Sequence, residues 1–188
     1  NGYVALGQGK AREVGPAIRK YGNMLRVTDC PNDAICNRQD IVNLILTSGK
    51  TAVHSDMLVW STDETPEGAA KQILSSLFGV IQYSMVLQTI PEPQREVIRH
   101  WLKFSQDHRK ALLKSAFRPH YPALGYPFIE AESDEELIAA VYTPSWTVKL
   151  DGAGKDAYVI NATDSETLVF DVSAAPKSAE AFDVRGRS

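Results

Sequence analysis

The sequence predicts an α/β part, in which strands and helices alternate, followed by an all-β part. Up to residue 117, four short apolar strand patterns alternate with segments of helical spacing, the order that builds a parallel sheet covered by helices. After Phe117 the chain shows short strand-like runs separated by turn residues such as Asp151-Gly152, a rhythm typical of an antiparallel sheet or sandwich. We therefore expect one domain at residues 1–117 and a second at 118–188.

The elements of the first part are predicted from their apolar runs and from the residues that begin and end them. The strands are expected at residues 3–6, 24–27, 51–53 and 80–87. The helical segments are expected to begin at Gly15, Asp33, Thr65 and Pro93, with Gly49 just beyond the second and the last reaching about residue 116. Four such strand–helix units amount to half of a (β/α)₈ barrel.

The elements of the second part are shorter and follow a loop with two prolines, Arg118-Pro119-His120-Tyr121-Pro122. Strands are predicted at residues 128–131, 137–142, 146–150, 157–160, 168–172 and 181–184. We expect them to form a C-terminal antiparallel β-sandwich.

Composition narrows the classes of function. The 188 residues carry a formal net charge of −3, and no basic patch is visible of the kind that binds nucleic acid. No apolar run reaches the roughly 20 residues that span a bilayer. The two cysteines, Cys30 and Cys36, are too few for a disulfide scaffold or a zinc site. We expect no metal, no cofactor, and neither nucleic acid nor membrane as a partner.

Polar residues follow each predicted strand of the first part. Reading along the chain, they are Gln8 and Lys10, then Asp29, then Asp56, then Gln88. In parallel α/β barrels the chemistry sits at the carboxyl ends of the strands, so a polar pocket is expected at this edge. Arg26 lies three residues before Asp29. Burying a charged pair at the end of a strand costs free energy, so such a pair is a candidate for a functional role.

Each candidate has a structural alternative. Asp29 and Asp56 could each cap a helix. Arg26 could be a plain salt-bridge partner, and Met57 could belong to the core. Trp60 could stack on a sugar face or simply pack.

Two runs of the sequence resemble the melibiase-type α-galactosidases, glycoside hydrolases of clan D, most closely those of family 36. The first is Arg26-x-x-Asp29 followed by Cys30-Pro31-Asn32-Asp33, and the second is Ala52-Val53-His54-Ser55-Asp56-Met57-Leu58. The run from Phe78 through Pro91, the long helix after it and the β-rich end also resemble that family. The resemblance covers nearly the whole chain and keeps the order of its elements.

The resemblance implies that the four strands are the fifth to eighth of a TIM barrel. Asp29 then falls on the general acid/base and Arg26 on a substrate-contacting arginine. Asp56 and Met57 match positions that line the sugar pocket. Gln8 and Lys10 lie where the fifth strand contacts the sugar, although related enzymes often have a glutamate where this chain has a glutamine.

One part of the family pattern is missing, because no Lys-Trp-Asp type motif supplies a nucleophile. We therefore expect the C-terminal part of a larger retaining α-galactosidase, inactive in isolation, acting on terminal α-galactosides or oligosaccharides. Its expected partner is the missing N-terminal part or a second copy, bound through the edges of the cut sheet and an apolar face near Leu25, Val27 and Val53. The alternative is a non-catalytic carbohydrate-binding or assembly module.

Overall fold

The computed structural model describes residues 5–6, 21–30, 32–49, 51–144, 147–150, 154–172 and 175–188. The chain divides into two compact units, Asn1–Ile98 and Arg99–Ser188. This division lies earlier than the predicted boundary between residues 117 and 118. The reason is visible in the second unit, where the Trp101 indole N–H donates to the carbonyl of Val184 at 3.1 Å.

The first unit is built around a parallel sheet. Its elements are β1 (Ala5–Leu6), β2 (Met24–Arg26), α1 (Ala34–Ser48), β3 (Ala52–Leu58), α2 (Pro66–Ser75) and β4 (Val80–Tyr83). The strands lie in the order β1-β2-β3-β4 and every neighbouring pair is parallel. The predicted alternation of strands and helices is confirmed from β2 to β4, whereas the helical segment predicted to begin at Gly15 lies outside the described residues. Within the described residues no closed barrel is seen, and β1 and β4 stand at the two ends of the strand order.

Helix α1 begins and ends where the sequence predicts. The Asp33 carboxylate caps it by accepting the N–H of Cys36 at 2.9 Å, and Gly49 follows its last turn with a φ of 66°. One core cluster joins this helix to the sheet, and its buried members are Leu25, Val27, Val53, Ile41 and Leu44. The apolar sheet residues expected to lie open for a partner are therefore covered by α1.

Strand β3 is longer than predicted. It continues from Ala52 to Leu58 because pairing with β4 resumes after a register shift between His54 and Met57. Asp56 therefore lies inside a strand and not after one. Strand β4 is in turn shorter than predicted, since it ends at Tyr83.

The loop after β3 is fixed by one buried glutamine at the start of the third helix, α3 (Glu92–Asp107). Gln94 accepts the indole N–H of Trp60 at 3.0 Å. Its amide nitrogen lies 2.8–3.1 Å from the backbone carbonyls of Ser61, Thr62 and Glu64. Trp60 is thus a buried packing residue, as one of its two interpretations expected.

Helix α3 begins in the first unit and ends in the second, whose other elements follow it in chain order. They are α4 (Arg109–Lys114), β5 (Ala116–His120), a 3₁₀ turn at Pro122–Leu124, β6 (Phe128–Glu132), β7 (Glu136–Val141), β8 (Thr147–Leu150), β9 (Asp156–Asn161) and β10 (Val169–Val172). The single long helix predicted from Pro93 is divided in two at His108. No helix in the described part of the chain is both long and apolar enough to cross a bilayer.

The second unit is not an antiparallel sandwich. Its four-stranded sheet has the order β5-β6-β7-β9, in which β7 and β9 are parallel, and β8 pairs in parallel with β10 in a separate two-stranded sheet. Strand β8 pairs outside the larger sheet, so the chain re-enters that sheet at β9 in the direction of β7. The predicted fold class, half a (β/α)₈ TIM barrel followed by an antiparallel β-sandwich, is therefore wrong. The described residues form a mixed α/β protein with four α-helices and several sheets.

Two local predictions in the second unit are also wrong. The segment around Pro119, expected to be a loop, is strand β5. Proline is tolerated there because β5 lies at the edge of the sheet, and among the described residues one side of this strand has no partner strand. The segment at residues 181–184 is not a strand. The other five predicted strands of this part are confirmed to within about two residues at each end.

Candidate functional site

The candidate site lies at the carboxyl end of the parallel sheet in the first unit. Arg26 is the last residue of β2, and its backbone is in register with His54 of β3. Asp29 follows in the loop after β2, and Asp56 lies two residues beyond His54 in β3. Parallel neighbouring strands place these residues at one edge of the sheet, as predicted.

The guanidinium of Arg26 joins the two aspartates. Its Nη1 donates to Oδ1 of Asp29 at 2.9 Å, and its Nη2 donates to Oδ1 of Asp56 at 2.5 Å. Nη1 also lies 3.3 Å from the carbonyl of Val27. Only 15% of the Arg26 side chain is exposed, so a cation with little access to water is held between two carboxylates. The sequence prediction that these three residues converge is confirmed.

Asp56 is held by the protein on both carboxylate oxygens. The residue is 3% exposed. Its Oδ2 accepts the backbone N–H of Cys30 at 2.6 Å, and its own N–H donates to Oδ1 of Asn37 at 3.3 Å. The predicted direct contact with a sugar does not fit this burial, and neither does the alternative of a helix cap. Asp56 instead fixes Arg26 and the loop that carries Asp29.

Asp29 has the opposite environment. Its side chain is 56% exposed while it keeps the bond to Arg26. The alternative of a helix-capping aspartate is excluded for the next helix, because Asp33 caps α1. Among the three charged residues of the site, Asp29 is the most accessible to an arriving molecule.

His54 lies beside Arg26 on the neighbouring strand. Burial lowers the pKa of its imidazole, and the nearby Arg26 charge lowers it further, although a backbone hydrogen bond and Asp56 act in the other direction. Its Nδ1 is buried and has no hydrogen-bond partner within the described residues. The ring is therefore expected to be neutral at pH 7, a packing group next to the site and not a second cation.

The remaining predicted residues differ in where they lie: two are exposed near the ends of strands, and two fall outside the described residues. Met57 is 48% exposed at the end of β3, so it is surface and not core. Gln88 is exposed and lies in a turn beyond the end of β4. Gln8 and Lys10 fall outside the described residues.

A second cluster next to the site was missed by the sequence analysis. Potential ligand atoms of Cys30, Cys36 and Asp40 lie within 4.8 Å of one another. Cys30 Sγ is 3.5 Å from Oδ2 of Asp40, and the hydroxyl of Thr28 donates to the same oxygen at 2.5 Å. The spacing Cys36-x-x-x-Asp40, which puts both side chains on one face of a helix, was the signal available in the sequence.

Burial raises the pKa of the Cys30 thiol well above its ordinary value, and the neighbouring Cys36 and Asp40 raise it further. A thiol of this kind stays protonated at neutral pH and is a poor nucleophile.

The arrangement as a whole presents one cation and two carboxylates, of which one is accessible. Carboxylate oxygens accept and guanidinium N–H groups donate, so the edge offers both kinds of hydrogen bond to a polyhydroxylated molecule. An anionic ligand such as a phosphate would meet Asp29 as well as Arg26, and repulsion from the carboxylate would oppose its binding.

Comparison of the chain with protein-family models, with curated proteins and with solved structures finds no match.

Proposed function

We propose that this chain carries the acid/base side of a retaining α-galactosidase site, with Asp29 as the general acid/base and Arg26 as a sugar contact. The observation that supports it is the exposed Asp29 carboxylate, held 2.9 Å from the Arg26 guanidinium at the carboxyl end of β2. Ligands of open parallel sheets bind at the carboxyl ends of the strands. The resemblance to melibiase-type enzymes assigns the same two residues the same two roles.

A general acid must meet the oxygen of the leaving group and pass it a proton. Asp29 is suited to this by exposure, since its carboxyl reaches solvent, and by orientation, since Arg26 holds one of its two oxygens. In the second half of a retaining reaction the same carboxylate takes a proton from the attacking water.

The nucleophile of this mechanism is assigned to another strand of the same enzyme. Retaining glycosidases need two carboxyl groups about 5–5.5 Å apart. Asp56 binds the same guanidinium as Asp29 but is buried, and its two oxygens accept bonds from Arg26 and from the Cys30 backbone N–H. The 188-residue chain is therefore expected to bind a galactoside weakly and not to hydrolyse it.

Met57 completes the proposal as an apolar contact. It follows Asp56 in β3, and about half of its side chain is open to solvent. A sugar ring has an apolar face as well as hydroxyls, so an exposed thioether beside polar groups can serve as one wall of the site.

The test is a titration of the ¹⁵N-labelled chain with methyl α-galactoside, followed by the amide NMR signals. We expect saturable shifts at Arg26, Asp29 and Met57. Asp29→Asn should weaken binding by at least about tenfold, because hydrogen bonds to charged groups contribute roughly 1.5–3 kcal/mol. The matched control is Asp63→Asn, a change to an exposed aspartate in the loop after β3, which should leave the affinity unchanged.

Methyl α-glucoside, titrated in the same way, should bind more weakly than the galactoside. No saturable shift at the three residues with either sugar would refute the assignment of a sugar site. Equal binding by the Asp29→Asn variant would remove Asp29 from the site and favour the non-catalytic binding module instead.

A further inference from the structure

We propose that Cys30, Cys36 and Asp40 form a zinc site beside the candidate sugar site. This inference does not depend on the proposed glycosidase function, because none of the three residues has a role in it. The ligand atoms of all three side chains lie within 4.8 Å of one another.

The spacing of the three atoms suits a single tetrahedral ion. Zinc bonds to thiolate sulfur and carboxylate oxygen are about 2.0–2.3 Å long, which puts two ligands of one ion about 3.3–3.8 Å apart. Cys30 Sγ and Asp40 Oδ2 are already 3.5 Å apart. No two of the three ligand atoms are more than 4.8 Å apart, so small side-chain rotations would bring Cys36 Sγ to the same distance from the other two.

Two elements hold the cluster in place. Cys36 and Asp40 are one turn apart on helix α1, whose first turn is fixed by its Asp33 cap. Cys30 lies in the loop after β2, and its backbone N–H is bound by the buried Asp56 carboxylate at 2.6 Å. The ligands are thus carried by a capped helix and an anchored loop, which limits the cost of ordering them around an ion.

The surroundings favour a divalent cation over a disulfide. A disulfide would use the two cysteines and give the Asp40 carboxylate no function. A cation would be bound by all three, and thiolate ligands select zinc and similar soft ions over magnesium or calcium. The Thr28 hydroxyl, bonded to Asp40 Oδ2 at 2.5 Å, orients that carboxylate as outer partners of metal ligands commonly do.

Three protein ligands leave a fourth position on a tetrahedral ion. Cys36 and Asp40 are half-buried and not fully enclosed, so that position can be reached by water. Because Cys30 directly follows Asp29, a bound ion would also restrain the loop that carries the proposed acid/base.

The experiment uses the whole chain, freed of metal with a chelator and kept reduced with a phosphine. Cadmium is added as the probe, because cadmium–thiolate bonds absorb in the ultraviolet, and zinc is then added to displace it. The chain has only two cysteines, so a two-thiolate signal at one ion per chain identifies both ligands. We expect this stoichiometry, with zinc abolishing the cadmium absorbance.

Variants assign the ligands. Loss of an outer partner typically weakens metal binding by 10–100-fold, so Cys36→Ser and Asp40→Asn, which remove ligands, should each weaken it by at least about tenfold. The control is Asp107→Asn, an exposed aspartate on helix α3. Both ligand changes are at half-buried positions and should leave the far-ultraviolet circular dichroism unchanged, whereas Cys30→Ser at a buried position could disturb folding.

Three results would overturn the proposal. The first is the absence of a thiolate absorbance at any cadmium concentration. The second is one ion per two chains with a doubled mass in light scattering, which would mean that the sulfurs come from two copies. The third is an unchanged affinity in Asp40→Asn, which would remove the carboxylate from the site.

Discussion

Arg26 binds two carboxylates whose environments predict opposite roles. The Asp56 carboxylate is buried, so removing its charge would leave the largely buried guanidinium without its closest partner. Breaking such a pair by removing one partner typically costs about 3–5 kcal/mol. The Asp29 carboxylate is mostly exposed, and exposed pairs typically contribute about 0–1 kcal/mol. One aspartate therefore stabilises the fold and the other is available for chemistry.

Unfolding of two variants in urea should separate these roles. Asp56→Asn should lower the free energy of unfolding by about 3 kcal/mol, because it removes the closer and more buried of the two carboxylates that compensate the Arg26 charge. Asp29→Asn should lower it by less than about 1 kcal/mol, and so serves as the matched control on the same guanidinium. Equal losses in the two variants would contradict the distinction between a structural and a functional aspartate.

The sequence was enough to bring Arg26, Asp29 and Asp56 together, because the order of strands in a parallel sheet decides which loops meet. It was not enough to place Asp56 correctly. Thr51-Ala52-Val53 looked like a complete strand, but β3 runs on to Leu58 because β4 offers it further pairing. Burial of Asp56 follows from that tertiary contact, which no local pattern records.

The ends of helices could be predicted from the sequence where a capping residue or a turn residue determines them. The capped start of α1 and the Thr65 cap of α2, which accepts the N–H of Gly68 at 3.0 Å, were both predictable. Strand β5 was not, since a proline argues against a strand unless its edge position is known. The break between α3 and α4 at His108 was missed as well, because no proline or glycine marks it.

Glu132 links elements of the second unit. It is the last residue of β6, bonds to Arg118 of β5, and accepts from Lys155 Nζ, just before β9, at 2.6 Å. The bonds to Lys155 and Arg118 lower its pKa from an ordinary 4.5 to about 2. A carboxyl whose pKa is lowered on folding stabilises the protein above its unfolded pKa and loses that contribution as pH falls.

As the pH is lowered from about 4.5 to 2, we therefore expect the urea concentration at the unfolding midpoint of the wild-type chain to decrease. The midpoint of Glu132→Gln should decrease less over the same pH range. Glu166→Gln, at an exposed position in the loop before β10, is the control and should follow the wild type. Other acidic groups also titrate here, including Asp183, whose pKa Arg187 lowers to about 2, so the decisive quantity is the difference between variants. Parallel curves for the wild type and Glu132→Gln would mean that the Glu132 bonds do not stabilise the fold.

At the scale of the whole molecule, the alternating first part was predicted correctly as a parallel sheet, whereas the second part was not. The positions of its strands were largely predictable from turn residues, but their pairing was not. Whether β9 pairs with β7 in parallel or antiparallel fashion depends on where the chain crosses between sheets. The direction of this pairing depends on contacts between residues distant in sequence. The regular spacing of short strands and turns therefore did not determine it.

The exposed edge of the parallel sheet in the first unit is expected to promote self-association of the chain. Within the described residues β4 pairs only with β3, so its other edge has unpaired backbone groups that can recruit a second chain. Beyond it, Val86 and Leu87 are 60% and 47% exposed, an apolar surface next to that edge. We expect the mass measured by sedimentation velocity to rise with protein concentration, and the double change Val86→Lys, Leu87→Lys to suppress the rise. Leu124→Lys, at an equally exposed leucine of the second unit, is the control and should have no effect. A monomer at every concentration would show that this edge is protected in the folded chain, and suppression by Leu124→Lys alone would place the contact elsewhere.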